Sequence, residues 1–317
     1  MAVGILMDWL GNVPDGLRLF VLWGPVLVAV GALFLVLKLG VKRRFLNTVL
    51  NPMSSWLSRG FYILSCCIVF GMINLILALL PYLEPYIHIT INLWPWLATT
   101  LDILAFIFSL GTAIYTGILI MSVKYVPFWD TWLLPSLYTV SALSTGAMAI
   151  TLATKAFNLI ITAPGLPEWL ATILIIKDEF PDGLAGTLTG IEQVLVIIEI
   201  IVLVLYLVRG YRAGEYGMFS VKLLLSGRLK YAFWAGIVVC GFFLPMVFEG
   251  VYSRFHDVDA LLFIAGGFLL IGGFFVRYAT VYAGIKEEPA MLRLVQSRRR
   301  LVNNATTPVL LESKGHR

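Results

Sequence analysis

Of the 317 residues, 60% are apolar and only 13% are charged, with a formal net charge of +5. A soluble domain carries about 25% charged residues, so this chain cannot clothe a water-soluble body. With a mean hydropathy of +0.91, a soluble globule, a disordered chain and a secreted disulfide scaffold are all excluded. The composition points to an all-α, polytopic membrane helix bundle.

The first eleven residues are too short to span and lack the basic start of a signal peptide, so no cleaved leader is expected. Crossing the hydrocarbon core takes roughly 20 largely apolar residues. Seven segments qualify: Leu17–Leu39, Trp56–Leu80, Trp96–Met121, Thr131–Thr154, Thr187–Val208, Tyr231–Glu249 and Ala260–Ala283. Pro52, Pro81, Pro95, Pro127 and Pro181 fall near span ends, where a missing N–H is tolerated. The longest connection, 155–186, holds Pro164, Gly165 and Pro167 and then the apolar stretch Trp169–Ile176, expected as a short interfacial helix. A single transmembrane domain over 1–285 is followed by a basic tail, 286–317, whose Arg298–Arg300 run suits anionic headgroups rather than nucleic acid.

Charge sets the expected orientation. The loops on one side, with the tail, hold 18 of the 23 Lys and Arg, among them Lys42, Arg43, Arg44, Arg209, Arg212, Arg228 and Lys230. The other side carries Asp8, Asp15, Glu84, Glu168, Asp178, Glu179, Asp182, Asp257 and Asp259. The basic side is expected to be cytoplasmic, with the N-terminus out and the C-terminus in.

Motifs for resident cofactors are lacking. His88, His256 and His316 all fall outside the spans, so axial haem ligands are not expected, and Cys66, Cys67 and Cys240 lack cluster or zinc spacing. No phosphate loop or nucleophilic triad is recognisable. What remains is a set of ionisable groups within the membrane. Asp102 lies six residues into its span, roughly 9 Å down at 1.5 Å per residue. Glu192 and Glu199, seven residues apart, share a helix face. Glu249 closes the sixth span and can reach headgroups, and Arg277 near the inner end of the seventh can snorkel. A charge in hydrocarbon costs at least ~2.5 kcal/mol, so such groups generally face the bundle interior and serve a task. The small residues Ser141–Ala147, Gly266-Gly267 and Gly272-Gly273 mark expected helix contacts, with a ligand groove as the alternative.

The stretch Tyr115–Ala149 carries Tyr115-Thr116-Gly117 at a helix end, Pro127-Phe128-Trp129 in a tight loop, Leu133-Leu134-Pro135 opening the next helix, and then Ser141–Gly146. It resembles the NrfD-like family, the membrane subunits of polysulfide reductase and related respiratory complexes. Echoes at Arg44-Phe45-Leu46-Asn47, in the Phe233–Pro245 region and at Arg277-Tyr278 extend the likeness over most of the chain from about residue 38. In the family the Arg44–Asn47 segment normally follows the second of eight helices, and here it follows the first.

The resemblance implies a multi-pass subunit of the inner (cytoplasmic) membrane that takes menaquinone or ubiquinone as substrate and holds no haem, cluster or metal of its own. Its implied partners are a ferredoxin-like iron–sulfur subunit and a catalytic subunit, often of molybdopterin type. The cluster protein would dock on the outer loops around His88, Glu168–Asp182 and His256. Quinone chemistry moves two electrons and two protons, so a pocket needs proton-exchanging groups. The expected site is an outer-side pocket centred on Asp102. Glu192, Glu249 and His256 would serve the proton path, and Glu199 would extend it inward. Tyr115 and Arg277 are expected on the inner side, as structural groups or an inner proton route. Two other functions stay open: a structural anchor without a quinone site, and a small-solute or ion transporter built on the buried carboxylates.

Overall fold

A computed structural model describes residues 1–9, 24–37, 56–87, 94–162, 182–254 and 259–286, and every regular element among them is a helix. In chain order these are α1 (Ala2–Trp9), α2 (Gly24–Leu37), α3 (Trp56–Ile87), α4 (Pro95–Met121), α5 (Leu133–Thr162), α6 (Asp182–Arg212), α7 (Glu215–Leu225), α8 (Ala232–Phe243), α9 (Leu244–Tyr252) and α10 (Asp259–Tyr282). Among the described residues six spans are long and apolar enough to cross a membrane: α3, α4, α5, α6, the continuous pair α8–α9, and α10. The expected first span, Leu17–Leu39, is described only over α2, an apolar helix of 14 residues; its flanks lie outside the described residues. So do the stretch Trp169–Ile176, the Arg43–Arg44 loop, the basic tail beyond Lys286 and all three histidines.

Several helices run past their expected ends. α3 continues through Pro81 to Ile87, α5 reaches Thr162, and α6 starts at Asp182. Apolar content marks the hydrocarbon crossing, but hydrogen bonding carries a helix on into the headgroup region. α4 opens where expected: Trp94 is extended and Pro95 takes the first helical position, where a missing N–H costs nothing. Hydroxyls inside the spans return to carbonyls one turn back, as Thr112 to Phe108, Thr139 to Pro135 and Thr151 to Ala147. These small polar residues thereby stay satisfied in hydrocarbon.

α8 is wound as a π-helix over twelve residues, a feature with no sequence expectation behind it. Pro245 in the first turn of α9 lacks an N–H, and its ring would crowd the carbonyl of an α-turn before it. The wider turn, closed by the Leu244 N–H on the Val239 carbonyl, gives it room. Gly241 in α8 and Gly272 in α10 touch backbone to backbone, so a Cβ on either meets the other main chain.

α5 is the hub, packing on α6, α4 and α10 and receiving α1; α8 and α9 pack on α10, while α3 bridges α4 and α2. The main core is built from α5, α6, α8, α10 and the loop before α5, with Phe128, Leu134, Leu137, Met148, Val196 and Tyr206 at its centre. A minor cluster around Leu75 joins α2 to α3.

Candidate functional site

α5 and α6 run antiparallel, and their polar positions repeat with the same seven-residue spacing. Ser144 on α5 donates to Glu199 Oε2 on α6 at 3.1 Å. Two turns further along each helix, Thr151 and Glu192 come level, both fully buried. α9 supplies the third acid: Gln193 Nε2 donates to Glu249 Oε2 at 3.1 Å, and the Glu192 and Glu249 carboxyls lie within hydrogen-bonding reach of each other. Glu192 is 1% exposed and Glu199 and Glu249 are 3% exposed. Both oxygens of Glu192 and Oε1 of Glu249 face no donor among the described residues.

Towards the basic end of the bundle the polar line continues into α10. Arg277 acts electrostatically on Glu199, bonds the Gly273 carbonyl at 2.8 Å and stands 5.8 Å from the centre of the Tyr138 ring. Ser141 Oγ, fully buried, lies beside Glu199 without completing a hydrogen bond. Tyr138 and Thr280 join hydroxyl to hydroxyl at 2.7 Å, and Trp129 Nε1 donates to the Thr280 carbonyl at 2.9 Å. At the acidic end, Lys155 of α5 pairs with Asp259 of α10 at 3.3 Å. Tyr252 of α9 donates to the same Asp259 oxygen at 3.3 Å.

The expected site residues therefore divide. Glu192, Glu249, Glu199 and Arg277 belong to one buried seam between α5, α6, α9 and α10. Asp102 is also buried, but on α4 beside α3, where Asn74 Nδ2 donates to the Leu101 carbonyl at 3.2 Å. α4 packs on α3 and α5, not extensively on α6, and the carboxyls that act on Glu192 are Glu249 and Glu199, not Asp102. Tyr115 packs over Gly60 of α3, where a Cβ would overlap its ring, so it is not part of the Arg277 cluster. His256 lies outside the described residues.

A cavity of about 230 Å³ opens between α1, α2, α3, α4 and α5, lined by Met1, Val28, Cys67, Thr112, Leu143 and Gly146 among others. Its lining holds no acidic or basic side chain and does not include Asp102. Gln193, Tyr138, Thr280 and Tyr252 join the site although their sequence context does not single them out, and Ser144 joins it from the small-residue stretch expected at a helix contact. The shared seven-residue spacing of Ser144/Thr151 and Glu192/Glu199 was the available signal, and it gains meaning only once the two helices are known to be antiparallel neighbours.

The profile of the family described as "Polysulphide reductase, NrfD" matches residues 12–287. This chain belongs to the NrfD family. It is 26% identical to the C subunit of polysulfide reductase from Wolinella succinogenes over 211 residues, 64% of this chain and 58% of that protein. It is 27% identical to Protein NrfD of Escherichia coli (strain K12) over 186 residues, 58% of this chain and 52% of that protein. The matches thus span little more than half the length of either relative. The segment that carried the family resemblance has a clear architectural role here. Gly117 lets α4 touch the backbone of Pro135, where a Cβ would not fit. Phe128 is fully buried against Gly210 and the Tyr206 ring, and its carbonyl accepts from Tyr206 Oη at 3.0 Å. Trp129 covers Gly284 and caps α10. In this NrfD-family protein the tight loop pins α4, α5, α6 and α10 together at the basic end.

Proposed function

We propose that this multi-pass membrane protein is the anchor and quinone-interacting subunit of a multisubunit respiratory oxidoreductase of the inner membrane, oriented with its basic face in the cytoplasm. Electrons pass between the quinone pool and a ferredoxin-like iron–sulfur subunit on the outer face, and onward to a catalytic subunit of molybdopterin type. The observation that carries this reading is membership of the NrfD family over residues 12–287. Menaquinone or ubiquinone is the substrate, and its reduction or oxidation exchanges two protons per two electrons. Asp102 supports a headgroup site because it is a buried carboxyl on a helix, α4, that is otherwise open towards lipid. The neighbouring apolar cavity suits an isoprenoid chain rather than a redox ring, since the described lining offers hydroxyls and a thiol but no charged side chain.

A second reading, an anchor whose quinone site lies in another subunit, is favoured by the separation of Asp102 from that cavity and from the glutamates. One preparation tests both. The complex is purified from its native membrane, its subunits are identified, and quinone-coupled turnover is compared between wild type and Asp102→Asn. Iron–sulfur and molybdopterin partners with at least about tenfold lower turnover in the variant are the expected result, given the weight of general acid–base groups. Normal turnover and unchanged inhibitor affinity would remove Asp102 from the site and leave the structural anchor.

A further inference from the structure

We propose that α7 and the loop joining it to α8 form a binding site for an anionic phospholipid. Lys222, Arg228 and Lys230 take its phosphate, and Tyr231 and Trp234 lie against its glycerol and upper chains. The proposal goes beyond the quinone reading and does not rest on it, since none of these groups belongs to the Asp102 region.

The first support is how the chain concentrates charge. The stretch 209–230 holds five basic residues against the single acid Glu215. After α6 ends at Arg212, Gly214 takes a positive φ of 93°, which turns the chain back so that α7 packs on α6 and α8. α7 buries Gly217, Ser220, Val221 and Leu224, two of which, Val221 and Leu224, join the main core. Its other face presents Glu215, Phe219 and Lys222, spaced by four and three residues. One face on the bundle and a charged, aromatic face turned away is the pattern of a helix lying in the headgroup layer.

Past α7 the loop is tightly wound. The N–H groups of Ser226 and Gly227 both donate to the Lys222 carbonyl at 2.9 Å, and that of Leu229 donates to the Leu223 carbonyl at 3.2 Å. Arg228 and Lys230 are thereby fixed within one short loop of Lys222, and all three are exposed. None of them pairs with a carboxylate among the described residues. Cations held close without a counter-charge repel one another, and an anion among them removes that repulsion. A phosphodiester suits the set: the guanidinium fork matches two of its oxygens and the lysines add point charge.

The second support is the apolar surface beside these cations, which selects a lipid over a soluble anion. Trp234 gives its indole N–H to the Leu225 carbonyl at 3.1 Å, yet the residue stays 52% exposed. Lys230 Nζ stands 4.9 Å from the centre of the exposed Tyr231 ring. Such rings belong at the boundary between headgroups and chains. From them, exposed apolar side chains continue down α8 through Val239 to Phe243, a path for an acyl chain. Charge, then aromatic girdle, then apolar surface follow one another in the order in which a phospholipid carries its own parts. An acidic soluble protein would match the cations and leave the rings and α8 uncovered.

The experiment strips lipid from the full-length protein in neutral detergent, titrates phosphatidylglycerol or phosphatidylcholine back, and counts bound lipid by native mass spectrometry. Phosphatidylglycerol is expected to stay bound at concentrations where phosphatidylcholine does not. Its affinity should fall about fivefold for each charge removed, and at least about tenfold in the triple variant Lys222→Gln/Arg228→Gln/Lys230→Gln. The charge-keeping triple Lys222→Arg/Arg228→Lys/Lys230→Arg should retain most of the binding. Lys124→Gln/Lys286→Gln, which removes charge from the same end of the bundle, should leave it unchanged; the tail stays intact in every variant. A second readout places the chains in a protein with all its charges: bromine-tailed phosphatidylglycerol should quench tryptophan fluorescence, and Trp234→Phe should lose part of that quenching. Equal retention of the two lipids overturns the proposal, as does an equal loss in the Lys124/Lys286 variant or quenching untouched by Trp234→Phe. Displacement of the lipid by inorganic phosphate would reduce the site to one for a soluble anion. Release of a co-purifying soluble protein by the triple variant, with bound lipid unchanged, would assign the surface to that protein instead.

Discussion

The two parts of the bundle bury their helices very differently. Half of the α5 span is buried, and 39% of both the α8–α9 and α10 spans, whereas α3 buries 22% and α4 only 11%. The main core, the three buried glutamates and the π-wound helix all lie in the well-buried part; the apolar cavity and Asp102 lie on the open side. Hydropathy does not distinguish the two parts: α3 and α6 are about equally apolar, and the better buried α5 is the least apolar of the spans. In lipid there is no gain from hiding apolar surface from another apolar phase, so the contacts that assemble the core are made by small and polar residues. The hub span α5 is thus the least apolar of the six, while α6, which carries two of the three buried glutamates, is as apolar as the wall helix α3.

Three substitutions would break or sharpen this contrast. Gly272→Leu should have the largest effect. Its side chain would have to displace the Gly241 backbone, and main chain cannot turn aside as a side chain can. Loss of a monodisperse folded species in detergent is expected, while Gly31→Leu on α2, with open space around it, should purify normally. An intact Gly272→Leu protein would mean that α8 and α10 do not meet as closely as described.

Phe128→Ala should come next. Removing a fully buried ring between Gly210 and Tyr206 is expected to cost about 3–5 kcal/mol, seen as a clear fall in the thermal midpoint. Phe34→Ala on α2, a residue 61% exposed, should shift the midpoint little. Equal shifts for the two would erase the distinction between core and wall.

The smallest of the three effects is expected from Trp129→Phe. It keeps an aromatic body over Gly284 and loses the hydrogen bond to the Thr280 carbonyl. A loss of about 1 kcal/mol should appear in the same melting assay. A much larger loss would show that the indole also holds the Tyr138–Thr280 pair in register.

Composition and the spacing of apolar runs determined the all-helical membrane class and placed seven spans, six of which match long apolar helices among the described residues to within a few residues at most ends, because crossing hydrocarbon demands length and apolarity that any reader can count. The buried ionisable residues were legible for the same reason, since a carboxyl inside an apolar run stands out. Their grouping was not legible. Asp102 and Glu192 lie at similar depth along their helices, and depth is all that a linear pattern gives. Which face of α6 meets α5, and that Glu249 closes on Gln193 while Asp102 stays on the α3–α4 side, follows from the order in which helices pack. The π-winding of α8 was likewise decided in three dimensions: Pro245 permits it, but the close approach of Gly241 to Gly272 gives it a place to occur. The local code sets what each segment can be. The seam exists only because four helices bring their rare polar positions to one common line.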